Sequence, residues 1–228
     1  MCLAKGFMIT AEYLPGSQNQ LADALSRRNP ESSDWQLNPQ IFRAIDSRWG
    51  PCTIDLFASR TNCQLARYVS WKADPQAVAT DAFLFPWQEE RAYAFPPFCL
   101  VGRCLSQTQK QKATLVLIAP VWSGQPWYAQ LLTMAIALPI LIPQSHDMLR
   151  SPTGRSHPLL ETGSLQLAAW LISGDAAKQQ AFQRRHWPSS RNLGEEVRGL
   201  CTTAPGKHGA AGVLNGRMIH FTPLWQPC

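Results

Sequence analysis

Between residues 34 and 144 the sequence predicts an α/β fold built on a mostly parallel sheet. Segments with apolar residues at helical spacing alternate with short β-branched or apolar runs, the pattern of strands joined by helices that cover the sheet faces. Thr114–Ala119 is a continuous Thr-Leu-Val-Leu-Ile-Ala run ended by Pro120, as expected of a strand buried on both sides. The 228 residues and 45% hydrophobic content suffice for one core of ordinary size, with residues left over.

Gly6–Tyr13 reads as a short strand, Pro15-Gly16 as a turn and Asn19–Arg28 as a helix. Residues 1–28 thus form a small β-turn-α unit, and residues 29–33 (Asn-Pro-Glu-Ser-Ser) a linker. Within 34–144, Pro39–Arg48 has helical spacing with Ile41, Phe42 and Ile45 on one face. Thr53–Ala58 and Tyr93–Phe95 read as strands, with Leu100–Gln111 helical between the second and Thr114–Ala119. Trp127–Ala137 reads as a helix and Leu138–Ile142 as the next strand. After Gln144 the chain loosens into Ser, Pro, Thr and Gly, with one helical patch at Leu165–Trp170. Periodic pattern is lost after about Trp187, so 145–228 is expected to be an irregular, poorly ordered basic tail.

Net charge is +6, with the excess concentrated after residue 150. Such a balance favours phosphate backbones or anionic surfaces without choosing between them. The seven cysteines include no Cys-x-x-Cys pair, which argues for reduced thiols inside a cell and against a zinc site. The apolar run Leu131–Ile142 is broken by Thr133 and Pro139 and is too short to span a bilayer. No secretory leader is evident, so the expected location is intracellular, nucleus or cytoplasm.

In parallel sheets, ligands bind beyond the carboxyl ends of strands. Asp55, near the end of one predicted strand, is followed by Phe57, Ala58, Ser59 and Asn62. A carboxylate there can accept hydrogen bonds from ribose hydroxyls or an amino group, and small residues let a cofactor approach the backbone. It can equally be a turn residue. The next strand runs into Phe95-Pro96-Pro97-Phe98, where two prolines fix the backbone and an aromatic follows that can stack on a base. A plain proline-rich strand exit fits those four residues as well. Asp81, in Asp81-Ala82-Phe83, is a third carboxylate close by, or else a solvated loop acid. No Ser/His/Asp pattern, P-loop or GxGxxG occurs.

Taken in order, Asp34-Trp35, Pro39, Phe42, Ile45-Asp46, Gly50, Asp55-Leu56-Phe57-Ala58-Ser59, Asn62, Tyr68, Asp81, Trp87, Pro96-Pro97-Phe98, Val116–Pro120 and Trp127 resemble the phage-type DNA adenine-N6 methyltransferases of the Dam group. The resemblance implies a Rossmann-like methyltransferase-type sheet. It assigns S-adenosylmethionine to Asp55, Phe57, Ala58, Ser59, Asn62 and Asp81, and the adenine amino group to Phe95, Pro96, Pro97 and Phe98. The sequence departs from the family where Phe95 replaces a polar Asn or Asp. A phenyl ring cannot accept a hydrogen bond from the amine, and losing such a bond costs orders of magnitude in rate. The expectation is a methyltransferase-type domain with little or no methyl transfer.

Tyr13-Leu14-Pro15-Gly16, Asn19, Ala22-Asp23 and Leu25-Ser26-Arg27 resemble the last strand and helix of the ribonuclease H domain of retroelement polyproteins. That resemblance makes Asp23 a remnant metal-binding carboxylate. Mg belongs only to an intact domain, because a two-metal site cannot be built from one carboxylate. The combination resembles a DIRS-type tyrosine-recombinase retrotransposon polyprotein, with Leu165–Trp170 and Ser173-Gly174 resembling the approach to the recombinase. No recombinase Arg-His-Arg-Tyr set can be assigned, and the lost pattern after Trp187 is read as a shifted frame. The expected partner is DNA or RNA, with no membrane. Two other readings stay open: an active S-adenosylmethionine-dependent adenine methyltransferase, and a host-recruited nucleic-acid-binding module.

Overall fold

The computed structural model describes residues 35–151, 157–186, 209–214 and 217–225. Contacts divide the chain into two units, Met1–Ser33 and Asp34–Cys228. The predicted strand, turn and helix of residues 1–28, the linker 29–33 and Asp23 lie outside the described residues.

The unit from Asp34 is mixed α/β. Its elements are β1 (Gln36–Leu37), α1 (Pro39–Trp49), β2 (Ile54–Asp55), β3 (Val69–Ser70), β4 (Ala79–Thr80), β5 (Arg91–Ala94), a 3-10 turn (Phe98–Leu100), α2 (Val101–Gln111), β6 (Thr114–Pro120), α3 (Tyr128–Met134), β7 (Ile140–Leu141), β8 (Leu149–Arg150), α4 (Pro158–Glu161), β9 (Leu167–Ser173), α5 (Ala176–His186), β10 (Ala210–Leu214), β11 (Arg217–His220) and β12 (Thr222–Pro223).

The central sheet runs β12-β7-β9-β6-β5-β2. β2, β5 and β6 are mutually parallel, as are β7 and β12, while β9 runs antiparallel to both β6 and β7. β3 and β4 pair in parallel, and a parallel bridge between Asp55 and Tyr68 ties the approach of β3 to β2.

Side-chain alternation along the strands sends residues to two cores. Leu115, Leu117 and Ala119 of β6 join Val101, Cys104 and Leu105 of α2 and Leu131, Leu132 and Met134 of α3. Val116 and Ile118 join Ile41, Phe42 and Ile45 of α1. Helices therefore cover both faces, and each fully buried aliphatic side chain contributes roughly 1.5–3 kcal/mol. α1 begins where its sequence says it should. Asn38 caps it by accepting the Gln40 N–H at 2.9 Å, and Pro39 sits in the first turn, where no intrahelical donor is lost.

Two expectations are corrected. Leu165–Trp170, read as helical, belongs to a strand, since β9 is buried along its whole length between β6 and β7. A short, continuously apolar segment reads alike as buried helix or buried strand, and only its neighbours decide. The expected irregular tail from residue 145 supplies this central strand, and β10–β12 lie beyond Trp187. Trp170 of β9 meets Tyr128 and Phe221 edge to face at 5.9 and 6.1 Å. The Tyr128 hydroxyl donates to the Ala211 carbonyl at 2.9 Å. The last described segment is thus fastened to the core by ring contacts and a hydrogen bond that no local pattern announces.

Candidate functional site

Strand pairing decides what meets at the carboxyl edge. β2 and β5 are in register with Ile54 opposite Ala92 and Asp55 opposite Tyr93, and the Leu56 N–H donates to the Tyr93 carbonyl at 2.9 Å. β5 is in register with β6, Ala94 opposite Leu117. Three strand ends therefore lie side by side. They carry Phe57-Ala58-Ser59, Phe95-Pro96-Pro97-Phe98 and the turn from Pro120 to Trp122. The predicted carboxylate strand and the predicted proline turn are neighbours, although far apart in sequence.

Asp55 is 2% exposed. One carboxylate oxygen accepts the Phe57 N–H at 3.3 Å and the other the Gln64 N–H at 3.0 Å. Burial pushes its pKa up to about 7, while the two backbone donors pull the other way. The carboxylate is turned into its own loop and clamps residues 57–64, so it presents little free acceptor to a ligand. Ser59 and Asn62 knit the same loop. The Asn62 side-chain oxygen accepts the Ser59 N–H at 2.6 Å and its hydroxyl at 3.1 Å. Ala58 is buried and donates its N–H to Val69 at 3.2 Å.

Phe57 packs edge-on to Phe83 at 5.5 Å and to Trp87 at 6.5 Å, against the core shared with α2. The Arg103 guanidinium lies 3.8 Å from the Phe83 ring centroid, a cation–π contact that occupies one face of that ring. Asp81 has a left-handed backbone, φ 63°, and its side chain accepts the Phe83 N–H at 2.9 Å. It builds a turn and shares no contact with the proline motif among the described residues.

The proline motif packs on the opposite side of the sheet. Phe95 and Phe98 lie against the core shared with α1, their rings 6.3 Å apart. Pro96 is buried and Pro97 exposed. The Pro97 carbonyl accepts the Leu100 N–H at 2.8 Å, so it has the local donor that sequence reasoning denied it. Beyond Phe98 come rings the sequence did not assign to a site. Phe98 meets Trp122 edge-on at 5.2 Å and His157 at 6.3 Å, and His157 lies 4.7 Å from Trp35. Trp122 could have been found as a tryptophan just past a strand-ending proline. His157 carries no sequence signal of its own.

The predicted site residues thus form two groups. Phe57, Ala58, Ser59, Asn62 and Asp81 shape turns beside β2 and β4, and Phe95–Phe98 joins a row of rings. Among the described residues no group of three or more His, Cys, Asp or Glu side chains could hold a metal ion, and no helix is long and apolar enough to cross a membrane. The described cysteines are free thiols; Cys52 and Cys104 are buried, and Cys99 is exposed. No protein-family model matches the chain, and no curated protein matches it.

Proposed function

We propose that residues from Asp34 onward form a nucleic-acid-associated, catalytically defective domain of the adenine-N6 methyltransferase type, derived from a retrotransposon polyprotein. The observation that carries this reading is the parallel pairing of β2 with β5, which sets the Asp55 loop and the Phe95–Phe98 turn at one carboxyl edge.

The strand order supports it. Through the Asp55–Tyr68 bridge the parallel strands run β4-β3-β2-β5-β6. In chain order these rank third, second, first, fourth and fifth, the sequence of a doubly wound nucleotide-binding sheet. Its switch point, where ligands sit in such sheets, falls between β2 and β5. The links from β2 to β3 and from β3 to β4 contain no helix, a departure from the doubly wound pattern.

The defect also has a structural side. Phe95 is half-buried with its ring near that of Phe98, so no acceptor for an adenine amine stands at the first position of the motif. Asp55 is committed to two backbone donors. S-adenosylmethionine, if held, would lie against Phe57, Ala58 and Ser59 and would supply an activated methyl group.

The test is incubation of the full chain with radiolabelled methyl donor and adenine-containing duplex DNA, beside a gel-shift titration with the same DNA. Nucleic-acid binding without methyl transfer is expected. Transfer that disappears in Asp55→Ala would overturn the defective assignment in favour of an active methyltransferase. Absence of any nucleic-acid binding would overturn the reading altogether. The polyprotein origin is tested separately by the flanking genomic DNA, where reverse transcriptase coding sequence upstream is expected.

A further inference from the structure

Trp35, Phe98, Trp122 and His157 come from separate segments: the lead into β1, the turn after β5, the turn after β6 and the cap of α4. Each is partly exposed. Their interplanar angles, 59° for Trp35–His157, 45° for Phe98–His157 and 80° for Phe98–Trp122, are tilted or edge-on. Their faces are therefore not consumed by stacking on one another.

The polar chemistry of the group is one-sided. His157 Nδ1 accepts the Leu159 N–H at 3.1 Å, which places the ring proton on Nε2. Burial also holds this imidazole below its ordinary pKa. With the indole N–H groups of Trp35 and Trp122, the ring group offers donors and no side-chain acceptor. Its ligand should be flat, aromatic and rich in acceptors, which describes the ring nitrogens and carbonyls of a nucleobase. A base inside a duplex has both faces stacked, so the ring group suits an unpaired one. On β8, exposed Arg150 stands opposite Gln36 in the β1–β8 register, one residue along from Trp35. A cation there fits a phosphate backbone, in line with the net charge of +6.

We infer that Trp35, Phe98, Trp122 and His157 bind an unpaired nucleobase of a single-stranded nucleic acid, with Arg150 against its backbone. This rests on the nucleic-acid half of the proposed function and not on S-adenosylmethionine or methyl transfer.

The full chain is titrated by fluorescence anisotropy with a short labelled single strand of mixed sequence, as DNA and as RNA, and with the matching DNA duplex. The single strand is expected to bind at least about 10-fold tighter than the duplex and to quench tryptophan fluorescence. Trp122→Ala should weaken binding by about 5- to 100-fold, the range produced by loss of one base–ring stack. His157→Asn keeps a side-chain oxygen to cap α4 but removes the ring and its donor, and should weaken binding similarly. Leu84→Ser, at a residue 82% exposed, should bind as the wild type does. The DNA and RNA strands distinguish the two sources of the base. If Trp122→Ala fails to fold, His157→Asn and the wild-type quenching decide. Equal affinity for duplex, unchanged binding by a folded His157→Asn, or capture of a trimethyl-lysine peptide in place of the oligonucleotide would each overturn the inference. In the first two cases the proposed function survives; with no binding of any nucleic acid, both fail.

Discussion

Asp55 and Tyr93 stand opposite each other on β2 and β5, both almost fully buried. The carboxylate is engaged by two backbone N–H groups, whereas the Tyr93 hydroxyl has no hydrogen-bond partner. Burial, reinforced by the charges of Asp55 and Cys52, drives the Tyr93 pKa well above its ordinary value. The two residues place a costly polar pair beside the strand end that the proposed function depends on.

Because burial raises Asp55 to about 7, the folded chain binds this proton more tightly than the unfolded chain does. Stability should therefore fall as pH rises from about 4 through about 7, by up to roughly 4 kcal/mol from this group. His157, shifted downward, acts in the opposite sense: its contribution is present above the ordinary histidine value and is lost as pH falls through its folded pKa. Comparison with Asp55→Asn separates the two. In urea titrations between pH 4 and 8, the variant should lose most of the decline, and a decline unchanged in Asp55→Asn would refute the assignment.

Tyr93→Phe removes a buried hydroxyl without a partner while keeping the ring, whose centroid lies 4.8 Å from that of Phe42. It should leave stability unchanged or raise it by about 1–3 kcal/mol, the cost of an unsatisfied buried group. Thermal and chemical unfolding check this. A loss above about 1 kcal/mol would show that the hydroxyl has a partner after all.

Gly174 follows β9 where the chain crosses α2. A Cβ at this position would lie 2.1 Å from the Thr108 carbonyl oxygen, so backbone must move to admit it. Gly174→Ala should lower the unfolding midpoint by an amount equivalent to about 1–3 kcal/mol. A midpoint equal to the wild type would mean β9 and α2 are not packed this closely.

β9 is hydrogen-bonded on both sides, to β6 and to β7. Its amides should exchange with solvent only through global unfolding, and should rank with those of β6 as the slowest. Hydrogen exchange read by mass spectrometry measures this directly. Fast exchange across Leu167–Ser173 would restore the irregular-tail reading.

Much of the scaffold was legible locally. Asn38-Pro39 announced the start of α1, and Ile41, Phe42 and Ile45 announced its buried face. Thr114–Ala119 announced β6. Such signals survive because capping and amphipathic spacing act within a few residues of themselves. The carboxyl edge was legible as two motifs, since Asp55 and Pro96-Pro97 each stand out in the sequence. Their meeting, the committed hydrogen bonds of Asp55, and the ring row through Trp122, His157 and Trp35 were not legible. They depend on which strands pair and in what register.

The sequence by itself determined the class of the fold, its leading helix, its most buried strand and the replacement of a polar residue by Phe95. Tertiary structure alone decided that Leu167–Ser173 is a strand wedged antiparallel between β6 and β7, and that β2 lies beside β5. It also decided that His157 belongs to a ring cluster. The physical reason is the range of the forces involved. Helix caps and hydrophobic period are set by neighbours along the chain, whereas an apolar run takes its conformation from the strands that bury it, and a histidine takes its role from residues folded against it.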